Sequence, residues 1–332
     1  MSITAVVPVW NGRELLDRLL GSLEAQTRPV TELLVVDNGS EDGAPELARQ
    51  RGARVIPMGR NAGFAAAVNR GIRESRGEWI AVLNNDVELA ADYIATLVAA
   101  GGWYATGKIL SSGGGTACAT TAIIDGTFDA LCRGGTAWRV GSGRVDGAEF
   151  RMCREITSPP WTAVLFRAEL FRRVGLLEES FESYLEDVDF GLRCAAQHLT
   201  GLYVPEAVAW HRGSATLGRW HPETVRRISR NQILLLARHY PCRLLLRCGW
   251  PIVVAQCLWG AVAFRHGAGV AWLRGKSEGL RSFAAARNSC YSFDGLLQHL
   301  RENEATIRSL QEATGFDRYW SLYFRLTGGG AK

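Results

Sequence analysis

Apolar runs with almost no polar interruption recur along the first two thirds of the chain, at residues 3–9, 32–37, 79–83, 162–167 and 202–210. Between them, apolar residues return at intervals of three and four, as at Leu15, Leu16, Leu19, Leu20 and Leu23. The runs suit strands covered on both faces, and the intervals suit helices that cover them. Strand, helix and strand in that order predict right-handed parallel units, with shorter strands at 54–58 and 103–110. Asp37 and Asp86 then end two strands on the same carboxyl edge, where open α/β sheets bind ligands. Asn11 is placed to cap the first helix.

Further helices are expected at 44–51, 91–100, 168–174 and from Glu186, whose first turn carries Glu186, Asp187 and Asp189. Residues 111–144 are rich in Gly, Thr and Ser and predict loops and short strands around a site opening. Beyond 218 the pattern turns helical: a helix at 222–239, an apolar Trp-bearing segment at 241–265, a mixed segment at 269–287, then an amphipathic helix and a loose tail. Segments 241–287 combine apolar side chains with flanking Arg243, Arg247, Arg265 and Arg274, as in helices that lie in a bilayer interface.

At 332 residues with 47% hydrophobic and 21% charged side chains, the chain is expected to build a full core. A formal charge of +5 without basic blocks argues against nucleic acid as the main partner. The eight cysteines include no C-x-x-C pair, so neither a zinc site nor a disulfide framework is indicated. No apolar run reaches the roughly 18 residues of a transmembrane helix, and the start shows no secretory signal. No G-x-G-x-x-G follows the first strand, which excludes a nicotinamide dehydrogenase fingerprint. That strand also lacks the Gly-rich, Arg-bearing loop that a sugar-1-phosphate nucleotidylyltransferase would need.

Four blocks occur in order: Val7-Pro-Val-Trp-Asn-Gly12; Val35-Val-Asp-Asn-Gly-Ser40; Asn61-x-Gly-Phe…Asn69-x-Gly71 with Leu83-Asn-Asn-Asp-Val87; and Tyr184-x-Glu-Asp-Val-Asp189…Arg193. Together with Val208-Ala-Trp-His-Arg-Gly-Ser214, Arg230-Asn231 and Trp272-Leu-Arg-Gly275, they resemble the inverting family 2 glycosyltransferases, most closely a rhamnosyltransferase-like branch of bacterial cell-surface glycan synthesis. The resemblance covers about residues 3–240. It implies an α/β fold of GT-A type, a Rossmann-like mixed sheet flanked by helices, over 1–218. The nucleotide-sugar half would span about 1–110 and the acceptor half 111–218, with 219–332 a membrane-associated helical region.

The same resemblance implies roles. Pro8, Trp10, Asn11, Asp37, Arg60, Asn61, Gly63, Asn69, Asn84 and Asn85 would bind the nucleotide sugar. Asp86 would hold a divalent cation, Mg²⁺ or Mn²⁺, with His211, which matches a metal or diphosphate contact in relatives. The first acid of the family's D-x-D motif is Asn84 here, which implies weaker cation binding without the donor. Asp187 would be the base, with Glu186 raising the proton affinity of the pair and lining the acceptor side; Asp189 would orient the helix or meet the acceptor, and Trp161 would stack on an acceptor sugar or pack in the core. The expected partners are a nucleotide-diphospho-sugar (dTDP-rhamnose by branch similarity), a glycan or polyprenyl-linked acceptor and the inner face of the cell membrane, with a cytoplasmic location. The alternative reading is a membrane-associated scaffold with a degenerate transferase domain.

Overall fold

The computed structural model describes residues 1–112, 122–212, 220–287 and 293–328. In chain order its elements begin β1 (Ile3–Val9), α1 (Arg13–Glu24), β2 (Glu32–Asp37), α2 (Ala44–Gln50), β3 (Arg54–Pro57), α3 (Phe64–Glu74) and β4 (Trp79–Leu83). There follow β5 (Val87–Leu89), α4 (Tyr93–Ala100), β6 (Tyr104–Ser111), β7 (Ile124–Gly126), β8 (Asp129–Leu131), β9 (Ala137–Arg139), β10 (Arg154–Ile156) and β11 (Ala163–Arg167). The remainder is α5 (Ala168–Val174), α6 (Glu186–Ala195), β12 (Gly201–His211), α7 (Pro222–His239), α8 (Cys242–Arg247), α9 (Gly249–Arg265), α10 (Gly269–Arg287), α11 (Leu296–Thr314) and α12 (Arg318–Thr327).

The chain forms two compact units, one of residues 1–128 and 141–215, the other of 129–140 and 216–332. In the first, the sheet runs β10-β12-β6-β11-β4-β1-β2-β3, with β5 added to β12 and β7 to β6. β3, β2, β1 and β4 are parallel, whereas β11 runs against both β4 and β6, which makes the sheet mixed. Strand alternation sorts β1: Ile3, Ala5, Val7 and Val9 share a buried cluster with Leu16, Leu19 and Leu20 of α1 and Tyr93 and Ile94 of α4. Val6 points the other way, toward α3, where a Cβ added at Gly71 would lie 2.3 Å from its Cγ1. That contact explains the glycine of the Asn69-x-Gly71 block: helix and sheet close up only where no side chain intervenes.

The second unit packs a short hairpin, β8–β9, with helices α7 to α12. Residues 129–140, expected among the loops of the acceptor half, join this unit. A Cβ at Gly134 in the hairpin turn would lie 2.3 Å from the Ala255 Cβ, and Arg133 pairs with Glu304 at 2.7 Å. The expected boundary at 218/219 lies outside the described residues. The apolar segment 241–265 is two helices, with Pro251 in the first turn of α9, where its missing N–H costs nothing. The expected loose tail is instead largely the helix α12, pinned by buried Trp320, Tyr323 and Phe324, with Trp320 6.4 Å from Trp138. Among the described residues no helix is long and apolar enough to cross a membrane.

Candidate active site

Parallel register carries three turns to one edge of the first unit. Val9 pairs with Asp37, and Val6 with Val82, so the segments after β1, β2 and β4 emerge side by side. Their polar side chains then knit the turns together. The Ser40 amide donates to Asp37 Oδ1 at 2.8 Å, the Asn11 amide donates to Ser40 Oγ at 2.8 Å, and Asn85 Nδ2 donates to the Asn11 carbonyl at 3.1 Å. Asn11 is not the helix cap expected of it. It sits at φ 60 and its side-chain oxygen accepts from the Glu41 amide at 2.9 Å, while Gly12, without a side-chain bond, occupies the cap position. Pro8 is buried within β1, and Trp10 is 41% exposed at the rim, with ring area free to stack on a planar ligand.

Asn38, which the sequence reading quoted but gave no role, fastens the next loop. Its Nδ2 donates to Asn61 Oδ1 at 3.1 Å and to the Gly63 carbonyl, and its Oδ1 accepts from the Ala62 amide at 2.8 Å. Arg60 and Asn61 remain exposed just before α3. Gly63, at φ +89, stands against Glu182, whose carbonyl oxygen a Cβ at 63 would approach to 3.0 Å and which accepts from the Ala65 amide. Asn69 has a different role from the one expected. It is 1% exposed, and its amide exchanges hydrogen bonds of 2.9 Å with the Leu177 carbonyl and amide, so it ties α3 to the 177–179 segment rather than facing a ligand.

Glu182 also begins the approach to α6. It has φ 60, Tyr184 φ 73 and Leu185 φ 68, three left-handed non-glycine residues in four, each costing about 1–3 kcal/mol. They deliver Glu186 and Asp187, both largely buried, as the first turn of α6. Asp187 Oδ1 accepts from the Val188 amide at 2.9 Å. Asp189 is fully buried and pairs with Arg193 at 3.0 Å, one helical turn on, so it does not face an acceptor. Trp161 is also core: it packs with Phe166 at 4.6 Å and Phe190 at 5.1 Å.

At the β4 end, Arg212 N donates to the Asp86 carbonyl at 3.0 Å, and Val87 pairs with His211. The His211 imidazole lies between two carboxylates, with Nε2 3.1 Å from Asp86 and Nδ1 2.9 Å from Asp125. Asp125 was not anticipated; it sits on a three-residue strand in a segment without periodicity. Burial alone would lower the imidazole pKa, but hydrogen bonds to Asp125 and Asp86 push it up to about 9. The Asn84 side-chain oxygen, at the same turn, is buried and has no partner among the described residues. Carboxylate, imidazole and amide oxygen suit a divalent cation, so Asp86, His211 and Asn84 are the residues that could hold one. Asp86 and Asp125 lie on opposite ring nitrogens and cannot both reach it. Gly213 and Ser214 of the motif around His211 lie outside the described residues.

Residues 4–104 match the model of the family "Glycosyl transferase family 2". The chain is 31% identical over 228 residues to the N-acetylglucosaminyl-diphospho-decaprenol L-rhamnosyltransferase of Mycobacterium tuberculosis, covering 61% of this chain and 74% of that protein. It is 36% identical over 91 residues to glycosyltransferase AglE of Haloferax volcanii, covering 25% of this chain and 30% of AglE. Among solved structures, GalNAc-T7 with UDP, GalNAc and Mn²⁺ superposes with a TM-score of 0.62 at 14% identity. The match covers 95% of this chain and spans 58% of GalNAc-T7, and it bears on the fold.

Proposed function

Because the chain belongs to glycosyltransferase family 2 and has the GT-A fold, we propose that it transfers a sugar, with inversion, from a nucleotide diphosphate to a lipid-linked glycan acceptor. The Mycobacterium relative is named for an L-rhamnose transfer to a diphospho-decaprenol acceptor, which makes dTDP-rhamnose and a polyprenyl-diphosphate sugar the first pair to test. The observation that carries the reading is the meeting of Asp86 and His211, 125 positions apart in sequence, on the sheet edge that also holds Asp37.

In this reading Trp10, Asn11 and Asp37 hold the nucleoside, and Arg60 and Asn61, ahead of the α3 N-terminus, face the diphosphate. Asp86, His211 and Asn84 would hold a divalent cation, which neutralises charge on the leaving diphosphate. Asp187 takes the proton of the acceptor hydroxyl as that oxygen bonds the anomeric carbon and the bond to the diphosphate breaks on the opposite face. Glu186, beside Asp187 in the same turn, lines the acceptor side.

The helical unit supplies the membrane contact. Trp250, Val253 and Phe264 stand exposed along one side of α9, and Leu246 on α8 and Val270, Leu273 and Leu280 on α10 are exposed as well. Arg243, Arg247 and Arg265 are exposed and flank these helices in the sequence, which suits an anionic bilayer surface at the inner face of the membrane. Replacing Trp250 and Phe264 by Ser is expected to abolish co-sedimentation with phosphatidylglycerol vesicles. For the chemistry, transfer from dTDP-rhamnose should need Mn²⁺ or Mg²⁺ and vanish in Asp86→Ala. Wild-type transfer by a folded Asp86→Ala protein overturns the reading.

A further inference from the structure

We propose that Asp125 is a positioning residue for the cation site: its carboxylate holds the proton on His211 Nδ1 and so leaves Nε2 to give its lone pair to a cation bound beside Asp86. The proposal rests on the cation reading above and adds a residue that no motif marks. An ionised carboxylate can only accept a hydrogen bond, so the 2.9 Å contact of Asp125 Oδ2 requires that Nδ1 carry the hydrogen. By the same rule the 3.1 Å contact of Nε2 with Asp86 is made by an N–H, so without a cation the ring is doubly protonated; a cation that displaces the Nε2 proton finds the lone pair there because Asp125 keeps the other hydrogen on Nδ1. Without Asp125 the ring is free to choose the other tautomer, which presents an N–H to the cation and cannot ligate it.

The topology fixes this arrangement through one shared strand. β6 pairs on one side with β7, Leu110 opposite Ile124, and on the other with β12, Ser111 opposite His211. Asp125 and His211 are thus brought together from 86 residues apart by registers set within the sheet core. The His211 side chain is 12% exposed and that of Asp125 27%, so solvent reaches the carboxylate but the ring has little freedom to turn.

The site also needs such a device. With Asn84 in place of a first acid, Asp86 is the one carboxylate of its turn, and an imidazole in the wrong tautomer would leave little to bind the ion. Outer carboxylates on ligating histidines typically contribute 10–100-fold to metal affinity.

The test uses the full chain, Mn²⁺ alone as probe, and two readouts besides turnover. Titration followed by electron paramagnetic resonance should show Asp125→Ala binding Mn²⁺ about 10–100-fold more weakly than wild type. Asp125→Glu should recover part of the loss, as a structural defect would not. In the wild-type chain with ¹⁵N-labelled histidine and Mg²⁺, long-range ¹H–¹⁵N spectra should show His211 protonated on Nδ1 and bare on Nε2. Mn²⁺ affinity within twofold of wild type in Asp125→Ala, or a wild-type ring still protonated on Nε2 at saturating Mg²⁺, overturns the proposal. Asp86→Ala separates the levels: if it too leaves Mn²⁺ affinity unchanged, the cation site itself is wrong, whereas a loss there without one in Asp125→Ala removes only the role of Asp125.

Discussion

Two ion pairs of the α/β unit differ in kind. Asp189 and Arg193 lie one turn apart on the same helix, at 3.0 Å, and the guanidinium also donates to the carbonyls of Val174 and Leu176. Asp86, in the turn after β4, and His211, at the end of β12, meet at the mouth of the sheet, and the imidazole reaches a second carboxylate on its far side. The first pair closes within one helix and is tied to local backbone, so it specifies where α6 sits. The second joins groups that each have another suitable partner in a cation, so it can be exchanged. Both were candidates for function in the sequence; connectivity, rather than charge or burial, separates them.

The comparison breaks if catalysis follows the closed pair. Asp187→Asn should lower kcat by about 10²–10⁴ while leaving the melting temperature nearly unchanged, since the amide keeps the shape of the first turn. Arg193→Met should do the reverse: leaving Asp189 buried without its guanidinium is expected to cost about 3–5 kcal/mol in denaturant unfolding, with donor affinity retained in the fraction that folds.

A pH series sharpens the contrast. The folded His211 pKa is raised to about 9 from 6.5, so the pair's contribution is fully present below pH 6.5 and lost as pH climbs through 9. For the metal-free protein this loss is about 3 kcal/mol and should vanish in His211→Gln. The smallest effect is expected at Trp161→Phe: about 1–2 kcal/mol of stability, with KM for acceptor within twofold. A large KM change there would return Trp161 to the acceptor site.

The sheet was legible because strands buried on both faces are nearly uniform apolar runs, as at 3–9 and 79–83, and parallel order then places Asp37 and Asp86 without further information. Motif positions were legible too, but motifs do not say which way a side chain points. Asn69 therefore appeared as a ligand contact and is a loop tie, while of the two readings open for Trp161 and for Asp189 the structure places the first ring in an aromatic core and the second carboxylate in an ion pair. Asp125 stayed hidden because a three-residue strand has no period to detect, and its role depends on a neighbour 86 positions away. The helix α12 was missed because only three of its ten residues are buried, and those are aromatic side chains whose partners lie elsewhere in the helical unit.

The contact between Gly63 and Glu182 has a consequence for how this enzyme can change. The loop that would grip the donor and the segment that presents Asp187 share a backbone hydrogen bond and a gap too narrow for a methyl group. A variant that reshapes residues 60–63 for a different nucleotide is expected to displace Asp187, the proposed base, with it. New donor preference is thus expected to arise through paired changes around 63 and 182, and single replacements in either segment should cost turnover before they alter selectivity.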